Sequence, residues 1–194
     1  MEQAHIFEQR RSGVLLHITS LPSANLGPDA YRFVDFLHHS GVSVWQMLPL
    51  GPTHSEGSPY QCLSAHAANV DLISVDVVKQ QSWANESELT GLTFSTMIAH
   101  AYRQFMTQAN ESDKQAFSDF QQQQNFWLDD YVLFCEIRHL HHSTAWYHWP
   151  EELRDRNAAA IDKVRIERED ALNIRRFEQF LFFQQWHALK HYAN

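Results

Sequence analysis

Residues 42–50 read Val-Ser-Val-Trp-Gln-Met-Leu-Pro-Leu, and residues 13–18 read Gly-Val-Leu-Leu-His-Ile. Both are short apolar runs rich in β-branched or aromatic residues, and prolines bound them at Pro22 and Pro49. That pattern predicts two buried strands. The segment between them predicts a helix. Pro28 suits the first helical position and Asp29 the positive end of the helix dipole. Ala30, Phe33, Val34 and Leu37 then fall at i, i+3, i+4 and i+7, so they share one face. Gly41 stands where a left-handed residue would close the helix. Strand, helix and strand with short joints make a βαβ unit, whose strands are parallel and whose crossover is right-handed. The loops after the two strands, 19–27 and 51–66, therefore lie side by side, on the rim where α/β folds bind ligands.

Residues 71–76 predict one further short strand. Beyond them the periodicity is helical. Phe94, Met97, Ile98, Ala101 and Phe105 share a face; Ser112 with Gln115 fits a capping box for a helix to about Gln122; Trp127, Tyr131 and Phe134 mark another helix. Residues 143–150 form an aromatic-rich turn. A last helix from about Asp170 to Tyr192 is apolar over more than half its circumference, which predicts burial between neighbours. The expectation is two parallel strands and five to seven helices, mostly helical by count. The organisation divides into a βαβ start with its loops at 1–76, a helical insertion at 77–169, and a long buried helix at 170–194. This is the start of an α/β barrel, an incomplete (β/α)8 TIM barrel, because a full one needs roughly 250 residues.

Composition limits the partners. Fifteen basic against twenty-three acidic residues give a net charge of −8, and no basic stretch is interleaved with aromatics. Nucleic acid and anionic membrane surfaces are therefore poor partners. No apolar run approaches the ~20 residues of a membrane span, and residues 1–13 lack the apolar core of a secretory signal. With Cys62 and Cys135 far apart in sequence, the reading is two reduced thiols in a cytoplasmic protein. Neither His38-His39 nor the His139–His142 cluster has the i, i+4 spacing with a nearby carboxylate of a helical zinc site, so no metal is expected.

Several motifs are more specific. They are residues 12–22 (SGVLLHITSLP), 43–53 (SVWQMLPLGPT) with Ser58-Pro59-Tyr60-Gln61 and Ser64-Ala65-His66-Ala67, 127–134 (WLDDYVLF) with Trp149-Pro150, and 180–189 (FLFFQQWHAL). In this order they resemble the 4-α-glucanotransferase (amylomaltase) family. The chain departs from the family's pattern at Ala68-Asn69-Val70, where Gly-Asn-Pro is usual, and at Ile18, where proline is usual. The first change would loosen a turn.

The resemblance implies transfer of α-1,4-glucan segments between maltodextrins with retention, without metal or organic cofactor. It puts Tyr60 against the sugar, with Ser58 beside it and Pro59 fixing the loop. A tyrosine ring offers an apolar face to the C–H face of a glucose and a hydroxyl to its hydroxyls; the other reading of Tyr60 is a buried structural residue. His17 and Gln46 are polar residues in apolar strands. Each needs a hydrogen-bonding partner, which a sugar or a neighbouring strand could supply. His54 and Glu56 occupy the tip of the same loop, where contact with glucan and simple exposure explain them equally well.

The family's nucleophilic aspartate, acid/base glutamate and second aspartate stand on later strands. No position of this chain matches them, so no catalytic residue is assigned here and the 194 residues alone are expected not to transfer glucan. The alternative is a non-catalytic truncated remnant with at most weak maltodextrin binding. Two carboxylate pairs, Asp129-Asp130 and Glu151-Glu152, are set aside. Neighbouring residues on a helix point about 100° apart and do not converge on one atom.

Overall fold

The computed structural model describes residues 10–194. Most of the N-terminal segment read above for a signal sequence lies outside the described residues. Strand β1 is Gly13–Leu15 and strand β2 is Val44–Gln46. They pair in parallel, with Gly13 opposite Val44, Val14 opposite Trp45 and Leu15 opposite Gln46. Helix α1, Pro28–His39, connects them, and Gly41 follows it at φ 70°. The βαβ reading therefore holds, proline start and glycine stop included.

Both strands are shorter and less buried than expected. Alternate residues of a strand face opposite ways. On one face Trp45 packs its ring edge-on against Phe33 of α1 at 4.9 Å and donates its indole N–H to the Leu16 carbonyl at 2.8 Å. On the other face Leu15 is 59% exposed and Gln46 is exposed. The sheet is thus covered on one face only. After β2, Pro49 and Pro52 have no N–H to give a ladder, and the chain runs on as irregular backbone.

Eight further helices follow: α2 (Val75–Lys79), α3 (Glu86–Leu89), α4 (Phe94–Gln108), α5 (Glu111–Gln123), α6 (Leu128–Leu140), α7 (Glu151–Arg154), α8 (Ala158–Glu167) and α9 (Glu169–Ala193). The described residues thus hold nine helices against an expected five to seven. The excess consists of short pieces, since α2, α3 and α7 are five, four and four residues long.

Two local readings are corrected. Residues 71–76 form no strand. Asn69 accepts a hydrogen bond from the Asp71 amide at 3.0 Å and sets a 3-10 turn over Val70–Leu72, while Ser74 caps α2 by accepting from the Val77 amide. Short polar side chains that bond nearby backbone outcompete a strand pattern this brief. Helix α5 starts two residues before the proposed capping box. Asn110 is as good an N-cap as Ser112, and its side-chain oxygen accepts from the Asp113 amide at 2.9 Å.

Helix α9 organises the molecule. At 1.5 Å per residue its 25 residues span about 38 Å. It touches α1, α4, α5, α6 and α8. One core gathers Ile18, Leu26, Leu89, Phe105, Phe177 and Leu181; the other gathers Trp127, Val132, Ile137, Trp149, Ile161 and Leu172. Phe120 and Phe183 pack against both. Burial on several sides matches the expectation from its sequence.

Two glutamines of α9 tie the loops to this frame. Gln179 accepts from the Ala68 amide at 2.8 Å and donates to the Ala68 carbonyl at 3.0 Å. Gln185 does the same to Ser74, at 2.8 and 3.1 Å. Both glutamines are buried, so each bonds in a medium where an unpaired backbone group would cost about 1–3 kcal/mol. The Ala68-Asn69-Val70 turn, expected to be loosened, is instead fixed on both sides. Gln179 holds Ala68, and Asn69 holds Asp71.

Candidate functional site

The loop after β2 is built to be stiff. Thr53 and Cys62 form an isolated antiparallel bridge, and the Leu63 amide donates to the Pro52 carbonyl at 2.7 Å. Inside that neck the Gly57 amide donates to His54 at 3.0 Å, and the Gln61 amide to Ser58 at 3.2 Å. Gly57 sits at φ 69°, a conformation that favours glycine. Gly51 allows the neck to close, because a Cβ there would lie 2.9 Å from the Cys62 sulfur. Cys62 in turn donates its thiol to the Pro59 carbonyl at 3.3 Å. At the far end the Asn69 amide returns to the Leu50 carbonyl at 2.8 Å.

This loop walls a groove of about 810 Å³, whose floor comes from Phe182, Phe183 and Trp186 of α9. Pro59, Tyr60, Cys62, Ser64 and His66 line its other sides. Tyr60 is 77% exposed. A ring that open contributes little to the core, so the reading of Tyr60 as a buried structural residue does not hold. Ser58 and Pro59 are half-buried beside it. The groove offers apolar rings on one side and polar edges on the other, the mixture that a sugar's C–H faces and hydroxyls require.

The other residues singled out from the sequence do not gather there. The His17 Nδ1 accepts from the Thr19 amide at 3.3 Å and lies 2.7 Å from the Thr19 hydroxyl. The ring proton is thereby assigned to Nε2, which donates to the Pro49 carbonyl at 3.4 Å. His17 thus ties the chain after β1 to the chain after β2. It lines a second, smaller cavity of about 410 Å³ that shares Leu48, Pro49, Leu50, Gly51 and Pro59 with the groove. Gln46 lines neither and is exposed on the open face of the sheet, where water as well as a sugar can satisfy its side chain. His54 and Glu56 are exposed at the loop tip.

The sequence reading missed His66 and Phe126. The Ser64 hydroxyl accepts from the His66 and Ala67 amides at 3.1 and 3.0 Å and so shapes the turn that presents His66. The His66 ring stacks over Trp127 at 6.3 Å and meets the edge of Phe126 at 5.2 Å. No spacing rule pairs residues sixty positions apart. The available signal was a Phe-Trp pair at the start of a helix, where one ring suffices for the core.

The carboxylate pairs have structural roles. Asp129 pairs with Arg176 and Asp130 with Arg156, while Glu151 and Glu152 sit in the first turn of α7. Among the described residues no three His, Cys, Asp or Glu side chains converge in a way that could hold a metal ion, and no helix is long and apolar enough to cross a membrane.

Residues 16–194 match the family model for 4-alpha-glucanotransferase. A 4-alpha-glucanotransferase of Synechocystis is 36% identical over 97% of this chain and 41% of its own length. That of Streptococcus pneumoniae is 37% identical over 96% of this chain and 41% of its own length, and the chloroplastic/amyloplastic enzyme of Solanum tuberosum 33% identical over 96% and 36%. Among solved structures, the amylomaltase of Streptococcus agalactiae in complex with acarbose superposes with a TM-score of 0.86 at 30% identity, over 96% of this chain and 41% of the other. The chain spans about 41% of the length of these bacterial relatives.

Proposed function

Because the chain belongs to the 4-alpha-glucanotransferase family, we propose that its Tyr60 groove holds an α-1,4-glucan during transfer of a glucan segment from one maltodextrin to another. The observation that carries this reading is the exposed Tyr60 ring on a loop stiffened at its neck and fixed to α9. Rigid presentation lowers the entropy cost of binding, so more of the contact energy appears as affinity. The acarbose bound to the Streptococcus agalactiae amylomaltase supports a carbohydrate ligand.

The proposed chemistry belongs to the whole protein. The bond broken and the bond formed are both α, so configuration is retained. Retention uses two carboxyl groups roughly 5 Å apart, one as nucleophile and the other as acid and then base. Residues 10–194 offer no such pair at the groove, and their part is to bind and orient the sugar. A sugar hydroxyl, rather than water, takes the glucosyl group only where the site keeps water away from the intermediate. The Phe182, Phe183 and Trp186 floor suits that task.

The fold fits the same reading. A groove of about 670 Å³ runs along β2, between α1 and the C-terminal end of α9, lined by Val34, Leu37, Trp45 and Leu189. Among the described residues β2 pairs only with β1, so this side has the open edge that a third barrel strand would use, beside a lining that mixes these apolar residues with Asp35, His38 and Lys190. We read residues 13–46 as the start of a (β/α)8 barrel on that basis.

The test is a titration of the chain with maltoheptaose followed by tryptophan fluorescence, since Trp186 lines the groove. The expected result is saturable quenching or enhancement that weakens at least about tenfold in Tyr60→Ala. A folded chain that gives no saturable change, or a Tyr60→Ala chain that binds as well as its parent, overturns the proposal.

A further inference from the structure

We propose that Phe126 and His66 form a second sugar platform, which carries a maltodextrin beyond Tyr60 and onto the turn between α5 and α6. The inference rests on the groove reading and extends it. His66 lines the same groove as Tyr60, and the Phe126 ring packs against the His66 ring in a T-shaped pair at 5.2 Å, so an aromatic surface runs from the groove at His66 to Phe126.

Phe126 is 67% exposed, while its neighbour Trp127 is 7% exposed and fills the core. The core role of this aromatic pair is therefore met by Trp127 alone. An exposed phenylalanine on a mobile segment would mean little, but this one is held. The Gln124 side chain accepts the Trp127 indole N–H at 2.7 Å, and the Gln124 carbonyl accepts the Trp127 amide at 3.1 Å. On the other side, Trp127 stacks under His66, and Ser64 fixes the His66 turn. Two segments some sixty residues apart are thus locked into one surface. It joins a bare apolar ring face to an imidazole edge that can donate or accept.

A pyranose is amphipathic in the same way. Its C–H face covers a ring and its equatorial hydroxyls reach polar groups at the edge. A lipid or an apolar peptide would use the ring but not the imidazole. The platform adjoins the Tyr60 groove, so the occupant that reaches both is one long α-1,4-glucan. A short glucan that fills the groove between Tyr60 and His66 does not reach Phe126.

The test measures maltotriose and maltoheptaose binding by calorimetry for the parent chain, Phe126→Ala, Phe126→Trp and Tyr60→Ala. Phe126→Ala is expected to weaken maltoheptaose roughly fivefold to tenfold and maltotriose less than about twofold. Phe126→Trp keeps a ring face and is expected to stay within about twofold of the parent for both. Tyr60→Ala is expected to weaken both sugars. If Tyr60→Ala weakens binding and Phe126→Ala does not, the platform is overturned and the groove stands. If Phe126→Ala weakens both sugars equally, or Phe126→Trp binds as poorly as Phe126→Ala, the ring is not an extension of the groove and the proposal fails. If the parent chain binds neither sugar, the groove and the platform fall together.

Discussion

Replacing Glu136 with glutamine lowers the melting temperature at pH 7 by roughly 6–12 °C, the equivalent of about 3 kcal/mol for a chain of this size. Glu136 is 1% exposed on α6. One of its oxygens takes two hydrogen bonds from Arg168, at 2.8 and 2.6 Å, and the other takes one from Arg175 at 2.9 Å. Arg168 stands at the joint between α8 and α9, and Arg175 lies on α9, so a single carboxylate fastens three helices. Burial disfavours its charge, but the two guanidinium groups outweigh that and hold the carboxyl below its ordinary range. Removing the charge strands two arginines against a buried site, which costs more than the pair itself contributes.

The sign of the pH dependence follows. A carboxyl depressed in the folded state contributes its full stability above the unfolded value of about 4.3 and loses it as the pH falls through the folded value. Parent and Glu136→Gln melting curves should therefore converge on the acid side. The Asp129–Arg176 pair provides the comparison. Asp129 is largely exposed, and Asp129→Asn is expected to cost no more than about 1 kcal/mol. Equal, small losses in both variants would show that the buried triad carries no special weight.

A second carboxyl behaves the opposite way. Replacing Glu178 with glutamine should raise stability at pH 8 by about 3 kcal/mol, or roughly 6–12 °C, and change little near pH 4. Glu178 lies on α9, one turn after Arg175, on a helix that packs against α6. Burial is the main cause that pushes its carboxyl up to about 7. Arg175 works against that shift, while Asp71 and Glu136 add to it.

Here the folded value lies above the unfolded one, so the folded chain holds the proton longer. Stability is unaffected below about pH 4.3, falls as the pH rises from there to about 7, and stays reduced above. Glutamine keeps the shape and removes the charge. Thermal melts of parent and Glu178→Gln at pH 4, 6 and 8 check this. A difference that does not grow with pH would show that the carboxyl ionises at little cost.

What could be read from the sequence was local. The helix from Pro28 to His39 announces itself by a proline start, an apolar face and Gly41 just past its end, all within fourteen residues. The parallel pairing of β1 and β2 agrees with that helix, because neighbouring parallel strands need a crossover long enough to hold one. The readings that failed involved competition between local signals. Asn69 and Ser74 flank a plausible strand, and their side chains turn it into two caps.

The features that could not be read are pairings across the chain. Gln179 and Gln185 look like polar residues on a mixed helix face, yet each meets a backbone segment 111 residues away. A buried glutamine needs a hydrogen-bonding partner, but a helix that is apolar over more than half its circumference does not say which segment supplies it. Of the candidate site, the motif gave Ser58, Pro59 and Tyr60. The α9 floor and the His66–Phe126 pair required coordinates, because no periodicity relates a loop after β2 to a turn before α6.

Residues 51–68 and the facing part of α9 are proposed to hold an α-1,4-glucan, and backbone hydrogen–deuterium exchange with and without saturating maltoheptaose reads that occupancy segment by segment. The predicted result is slowed exchange in the loop around Tyr60 and in the adjoining Gln124–Trp127 turn, with the groove between α1 and the end of α9 unchanged. Unchanged exchange around Tyr60, or protection concentrated beside β2 and α1, would contradict it.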